Sequence, residues 1–295
     1  MKKFFTGSGV AIITPMQNDG SVNYEMFGRL IDFQIENGTD FMVVCGTTGE
    51  SATLTASEHS SVIKYAVEKV NGRIPVVAGA GSNDTKHATE LSKQAQSLGA
   101  DGLLVVTPYY NKTSQTGLLK HYTAIADTTD LPIILYNVPS RTGCSIASET
   151  YAKLAAHPNI IGCKEANGDI SSVAKTLSLC PEDFAVYSGN DDQTVPIMAL
   201  GGVGVISVFA NVCPDISHKI TSCCLAGDFE TARTLQLKYL RLMNALFCDV
   251  NPIPVKAAMN LLGFDCGICR MPLDQLSEKA FSALKSTLQE FALIK

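Results

Sequence analysis

A (β/α)8 barrel of the TIM-barrel class, carrying a C-terminal helical appendage, is predicted from three observations on the 295 residues. Eight short apolar, β-branched runs recur between residues 10 and 208, each reading as a strand buried on both faces. Segments with helical period separate them, and successive strand ends lie 19 to 33 residues apart, room each time for a helix and a return. After about Leu225 the strand signal stops and helical patterns take over. The expected organisation is a barrel over 1–225 and a helical domain over 226–295.

The predicted strands are 10–14, 41–45, 75–78, 102–106, 132–136, 160–163, 184–187 and 204–208. Among the intervening helices, 55–70 is the most explicit. Thr55 and Glu58 have capping-box spacing, and Val62, Ala66, Val67 and Val70 line one face. Other helices should start near Asn83, Thr116 and Asp169. Beyond the barrel, helical patterns run over 228–247, after Pro254, and over 274–293. An open doubly wound sheet is the alternative, but the Gly-x-Gly-x-x-Gly expected after its first strand is missing.

Composition narrows the function classes. Hydrophobic residues make up 46% and charged residues 17%, against roughly 25% charged in average usage, which implies a large core and buried subunit interfaces. A formal charge of −5 without a long basic run gives no electrostatic reason for a nucleic-acid or anionic-membrane partner, so a small-molecule substrate is expected. Residues 1–10 carry two lysines but no apolar leader core, and no stretch reaches the length of a membrane span, so a cytoplasmic location is expected. Ten cysteines in such a chain suggest reduced thiols, with Cys45 and Cys163 in apolar runs. Cys266 and Cys269 have redox-motif spacing, but no second ligand pair or strand-to-helix context accompanies them.

In barrels of this class chemistry gathers beyond the C-terminal ends of the strands. Strand two is followed by Gly46-Thr47-Thr48-Gly49-Glu50-Ser51, where glycines permit close backbone approach and hydroxyls and amides can hold a carboxylate; a turn into the next helix would use the same residues. Strand four ends in Thr107-Pro108-Tyr109-Tyr110-Asn111, two phenols that could pack or react. Strand five ends in Tyr136 and leads to Arg141, whose guanidinium suits bidentate capture of a substrate carboxylate.

Strand six places Lys164 at the end of a strongly apolar run. Burial should lower the pKa of such an amine and make it nucleophilic. Pairing with Glu165 is the competing reading, although adjacent strand residues point to opposite faces.

Three further features read as structural. Asp191 and Asp192 after strand seven read as helix capping more than a Mg²⁺ site, since no carboxylate cluster lies at the other strand ends. Gly201-Gly202-Val203-Gly204 precedes strand eight and so belongs to the opposite rim. The five histidines show no metal-binding spacing, and no metal is expected.

Together, GTTGES at 46–51, TPYYN at 107–111, YNVPSRTG at 136–143, GCKEA at 162–166 and GVISVFANV at 204–212 resemble the dihydrodipicolinate synthase family, among the pyruvate-dependent class I aldolases that also include N-acetylneuraminate lyase. The resemblance spans the whole chain. It implies a lyase condensing pyruvate with L-aspartate 4-semialdehyde, in lysine and diaminopimelate biosynthesis, with no external cofactor.

Carried over position by position, the resemblance makes Lys164 the Schiff-base lysine, Tyr136 the proton-transferring phenol, and Thr47 its link to Tyr110. It makes Thr48, with Thr47, the pyruvate carboxylate site, with Gly189 and Ile206 lining the same pocket and Arg141 holding the semialdehyde carboxylate. Sialic acid lyases tend to have small or apolar residues where this chain has Ser140-Arg141, which favours the synthase. In the family the tyrosine matching Tyr110 reaches in from a neighbouring subunit, so the resemblance implies a homo-oligomer, a tetramer built as a dimer of dimers.

Ala52, His59, Asn83 and Tyr109 match an allosteric lysine site of some family members. Two positions depart from it, Ala56 where sensitive relatives have histidine and His87 where they have glutamate. Losing that carboxylate removes a charge-assisted bond worth roughly 1.5–3 kcal/mol, which implies weak or absent lysine feedback.

Overall fold

A computed structural model describes residues 5–295; Lys2 and Lys3, the two lysines noted near the start, lie outside the described residues. Eight parallel strands close into a barrel in sequence order, with the eighth pairing back onto the first. They are β1 (Gly7–Ala11), β2 (Phe41–Val44), β3 (Val76–Gly79), β4 (Gly102–Val106), β5 (Ile133–Asn137), β6 (Ile160–Glu165), β7 (Ala185–Ser188) and β8 (Gly204–Ser207).

Seven strands overlap their expected runs closely, but β1 lies three residues before its expected start at Val10. Gly7 and Gly9 carry no apolar signal because the barrel leaves them no space for a side chain, and Ser8 between them hydrogen-bonds Ser217 at 2.6 Å. A Cβ on Gly9 would lie 2.3 Å from the Phe41 ring, and one on Gly7 would lie 2.2 Å from Asp40 Oδ2. Of residues 12–14, read as strand, Ile12 still donates its amide to the Val43 carbonyl on β2, while the Ile13 amide donates to Asn211 Oδ1 instead.

The barrel interior is filled by Phe41, Val43, Val77, Leu104, Ile134, Ile161, Tyr187 and Ile206, all buried. The alternate residues, such as Met42, Val44, Leu103 and Leu135, pack outward with the helices in a larger cluster. This two-sided burial is why the strands read as continuous apolar runs.

One irregularity decides the site. Along β5 and β6, Ile133 pairs with Ile160 but Ile134 pairs with Gly162, so Ile161 is an extra residue, a β-bulge. Strict alternation from Ile161 would have turned Cys163 and Glu165 inward. The bulge restarts the alternation, so Tyr136 and Lys164 are register partners, as are Asn137 and Glu165. Gly162 permits it, because a Cβ there would lie 2.0 Å from the Ala185 carbonyl oxygen.

The helices before the barrel closes are α1 (Tyr24–Glu36), α2 (Ala56–Val70), α3 (Thr85–Ser97), α4 (Gln115–Ala126), α5 (Pro139–Thr142), α6 (Ser148–Leu154), α7 (Ile170–Leu179) and α8 (Thr194–Ala199). Thr55 and Glu58 form the expected capping box of α2. Asp84, Ser114 and Asp169 cap α3, α4 and α7 through their side chains. The Gly201 segment closes α8, with φ +106° at Gly201 and the Gly202 amide donating to the Ile197 carbonyl.

After β8 the chain forms α9 (Pro214–Leu225), α10 (Phe229–Ala245), α11 (Ile253–Leu261) and α12 (Glu278–Glu290). The C-terminal part grips the loop after β2. Lys256, on α11, donates to Glu50 Oε1 at 2.6 Å with both side chains excluded from solvent, and the Arg270 amide donates to Glu50 Oε2 at 2.8 Å. Among the described residues no helix is long and apolar enough to cross a membrane.

Candidate active site

Lys164 leaves the end of β6 pointing into the barrel mouth, and its Nζ lies 4.4 Å from the centre of the Tyr136 ring. It is 5% exposed. Burial lowers its pKa to about 8; the Asp191 carboxylate opposes that shift and the Arg141 guanidinium adds to it. Relative to an ordinary lysine at 10.5, the neutral fraction near pH 7 rises about 300-fold.

Tyr136, on β5, is raised above the ordinary phenol range by burial. Arg141 and a hydrogen bond with Thr47 pull it back. Thr47 comes from the loop after β2, so a hydroxyl, a phenol and an amine from three strands converge. Thr48 is buried beside them and accepts a hydrogen bond from Asn251 Nδ2 at 3.0 Å.

Arg141 lies on the short α5, started by Pro139 at its first turn and ended by Gly143 in the left-handed region. Its Nη2 donates to the Asn251 carbonyl at 3.1 Å. Gly189 follows β7, its amide donating to the Glu165 carbonyl at 2.8 Å, and a Cβ there would meet Ala166 at 2.7 Å. Ile206 is fully buried in the barrel interior.

A cavity of about 510 Å³ is lined by Thr47, Tyr136 and Arg141 together with Ala52, His59 and Tyr109, while Lys164, Thr48, Gly189 and Ile206 are not among its lining residues. Ala56 and His87 line it as well. His59 donates through Nε2 to the Gly79 carbonyl at 2.9 Å, leaving Nδ1 buried without a partner. Asn83 is outside this lining and accepts from Asn111 Nδ2 through its carbonyl.

Tyr110 does not join the site of its own chain. It is 92% exposed, with φ +70°, a conformation a tyrosine rarely adopts. Cys266 and Cys269 are buried free thiols, both pushed up to about 12 by burial, which makes them inert.

Two residues escaped sequence reasoning. Asp191, read from the sequence only as helix capping, accepts the Val208 and Phe209 amides through Oδ2, at 3.2 and 2.9 Å, and so caps the turn after β8. Burial raises its carboxyl, and its charge acts on Lys164. Its position just past the end of β7, beside β6, was the available signal. Asn251 gave none, since it lies far along the chain and only folding brings it to Thr48 and Arg141.

The chain matches the family described as "Dihydrodipicolinate synthetase family" over residues 4–291. It is 55% identical over 293 residues to a 4-hydroxy-tetrahydrodipicolinate synthase of Acetivibrio thermocellus, covering 99% of each chain. Among solved structures, a chloride-inhibited dihydrodipicolinate synthase from Acinetobacter baumannii complexed with pyruvate superimposes with a TM-score of 0.97 at 44% identity, covering 99% of this chain and 100% of that one. A monomeric dihydrodipicolinate synthase variant superimposes with a TM-score of 0.96 at 46% identity, covering 98% of each.

Proposed function

Because the chain belongs to the dihydrodipicolinate synthetase family, we propose that it condenses pyruvate with L-aspartate 4-semialdehyde through a Schiff base on Lys164. The observation that carries the assignment is the buried Lys164 amine, with its pKa lowered to about 8, facing the Tyr136 phenol.

The neutral Nζ attacks the keto carbon of pyruvate, and the carbinolamine loses water to give an iminium. Tyr136 supplies the proton that leaves with that water and Thr47 orients its hydroxyl, general acid catalysis of a kind worth roughly 10²–10⁴-fold. Thr47 and Thr48 hold the pyruvate carboxylate.

Loss of a methyl proton turns the iminium into an enamine, the positive nitrogen acting as electron sink. The enamine carbon forms a bond to the semialdehyde carbonyl carbon, whose oxygen takes up a proton. The semialdehyde amine then attacks the iminium carbon and expels Lys164 as the free amine. One water is released overall. Arg141 holds the semialdehyde carboxylate, and Gly189 and Ile206 shape the pocket.

The protein acts as a homo-oligomer, a dimer of dimers, in which Tyr110 completes a partner's site. Its exposure and left-handed backbone in the single chain support that reading. The helical domain over 226–295 holds the carboxylate loop through Lys256 and Asn251.

Borohydride reduction in the presence of pyruvate, followed by peptide mass spectrometry, tests the mechanism. A reduced pyruvate adduct on Lys164 is expected. Absence of an adduct, or its appearance on another lysine, would overturn the assignment.

A further inference from the structure

Behind the inward-facing Tyr136 and Lys164, the next register pair, Asn137 and Glu165, points the other way. Both are buried, and neither has a part in the chemistry above. Asn137 Nδ2 donates to both Glu165 oxygens at 3.0 Å. Tyr151, on α6, donates to Oε2 at 3.0 Å, and the Asn167 amide donates to Oε1 at 3.0 Å. Asn137 Oδ1 accepts the Ile146 amide at 3.1 Å, tying the strap to the loop after α5.

A buried carboxylate is costly, and burial raises this one to about 7 despite its donors. The register pair one residue back, Leu135 and Cys163, is apolar. Three register pairs separate the strap from the bulge, and it sits at the ends of β5 and β6, joining their last paired residues just beyond Tyr136 and Lys164.

We infer that Glu165 is the positioning residue of the Schiff-base lysine: its bonds to Asn137 and Tyr151 lock the ends of β5 and β6 so that Tyr136 and Lys164 stay face to face. Glu165 is not among the charges that shift Lys164, although its charge adds to the raising of the Tyr136 phenol, so its effect on the amine runs through the backbone. The inference rests on the assignment of Lys164 as the imine-forming residue.

The test is the rate of borohydride-trapped adduct formation with pyruvate in the full-length wild type, Glu165→Gln and Tyr151→Phe, measured against pyruvate concentration and pH. In Glu165→Gln an amide donor must face groups that are themselves donors. Its maximal trapping rate is expected to fall at least about tenfold, and that of Tyr151→Phe several-fold.

The pyruvate concentration giving half the maximal rate should stay within about threefold of wild type, because the carboxylate loop follows a different strand. The pH midpoint of trapping should not move. Destabilisation alone would lower the reactive fraction without lowering the rate per folded site, so active sites are titrated by total adduct. Tyr151→Phe keeps the test open if Glu165→Gln does not fold. Wild-type maximal rates in the folded variants would overturn the inference, as would a shifted pH midpoint. Failure of the wild type itself to form an adduct would overturn the Schiff-base assignment instead.

Discussion

Replacing Gly162 by alanine tests whether the bulge aims the reactive amine. The new methyl would lie 2.0 Å from the Ala185 carbonyl oxygen and 2.8 Å from both its carbon and the Ala185 Cβ. Cβ contacts below 3.0 Å essentially do not occur, so β6 and β7 must separate by about 1 Å, and the nearest atoms are backbone that cannot rotate away. Overpacking of this kind costs about 1–3 kcal/mol, a drop of roughly 2–10 °C in melting temperature for a chain of this size. The larger effect should be kinetic. Lys164 lies two residues on, paired with Tyr136 and Tyr187 across the same two ladders, and a 1 Å misplacement of a reacting group can cost about 100-fold in rate. Thermal unfolding gives the first quantity, and a quenched time course of borohydride-trapped pyruvate gives the second. An unchanged melting temperature together with a wild-type trapping rate would refute the reasoning, since both follow from one steric conflict.

Imine formation should speed up as pH rises through about 8, because the attacking amine must be unprotonated and burial has brought its pKa there; a midpoint near 10 in the trapping rate would contradict this. Arg141→Ala should raise the semialdehyde concentration needed for half-maximal turnover by about ten- to a hundredfold. The same change removes a positive charge that lowers the Lys164 pKa, so the trapping midpoint should move to higher pH, which a pH series on the variant reads directly. Lys256→Met leaves the Glu50 carboxylate buried without its cation, expected to cost about 3–5 kcal/mol in denaturant unfolding. Lysine should inhibit turnover weakly or not at all, since His87 and Ala56 line the cavity; half-inhibition by submillimolar lysine would show otherwise.

Much of the barrel was legible because a strand buried on both faces must be apolar throughout, and eight such runs at helix-sized intervals leave few other folds. The exception, β1, starts before its apolar run because Gly9 faces a space filled by Phe41 and Gly7 one filled by Asp40. The candidate site was legible where single residues carry distinctive chemistry at strand ends: Lys164, Tyr136, Thr47 and Arg141. Asp191 was read as a cap, but the donors it serves lie in the turn after β8, far along the chain from it.

By itself the sequence determined the order of the strands and the C-terminal helices, which depend on local composition and period, and it named the candidate side chains at the strand ends. Only the tertiary structure decided which way those side chains face. The orientation of Lys164 depends on an extra residue in one ladder, and a bulge is a property of two paired strands that alternation along one strand does not encode. The lowered pKa of that lysine, the reach of Asn251 and Lys256 back to the loop after β2, and the strap of Glu165 to Asn137 arise the same way. Each depends on desolvation or contact between residues that the chain separates and folding brings together.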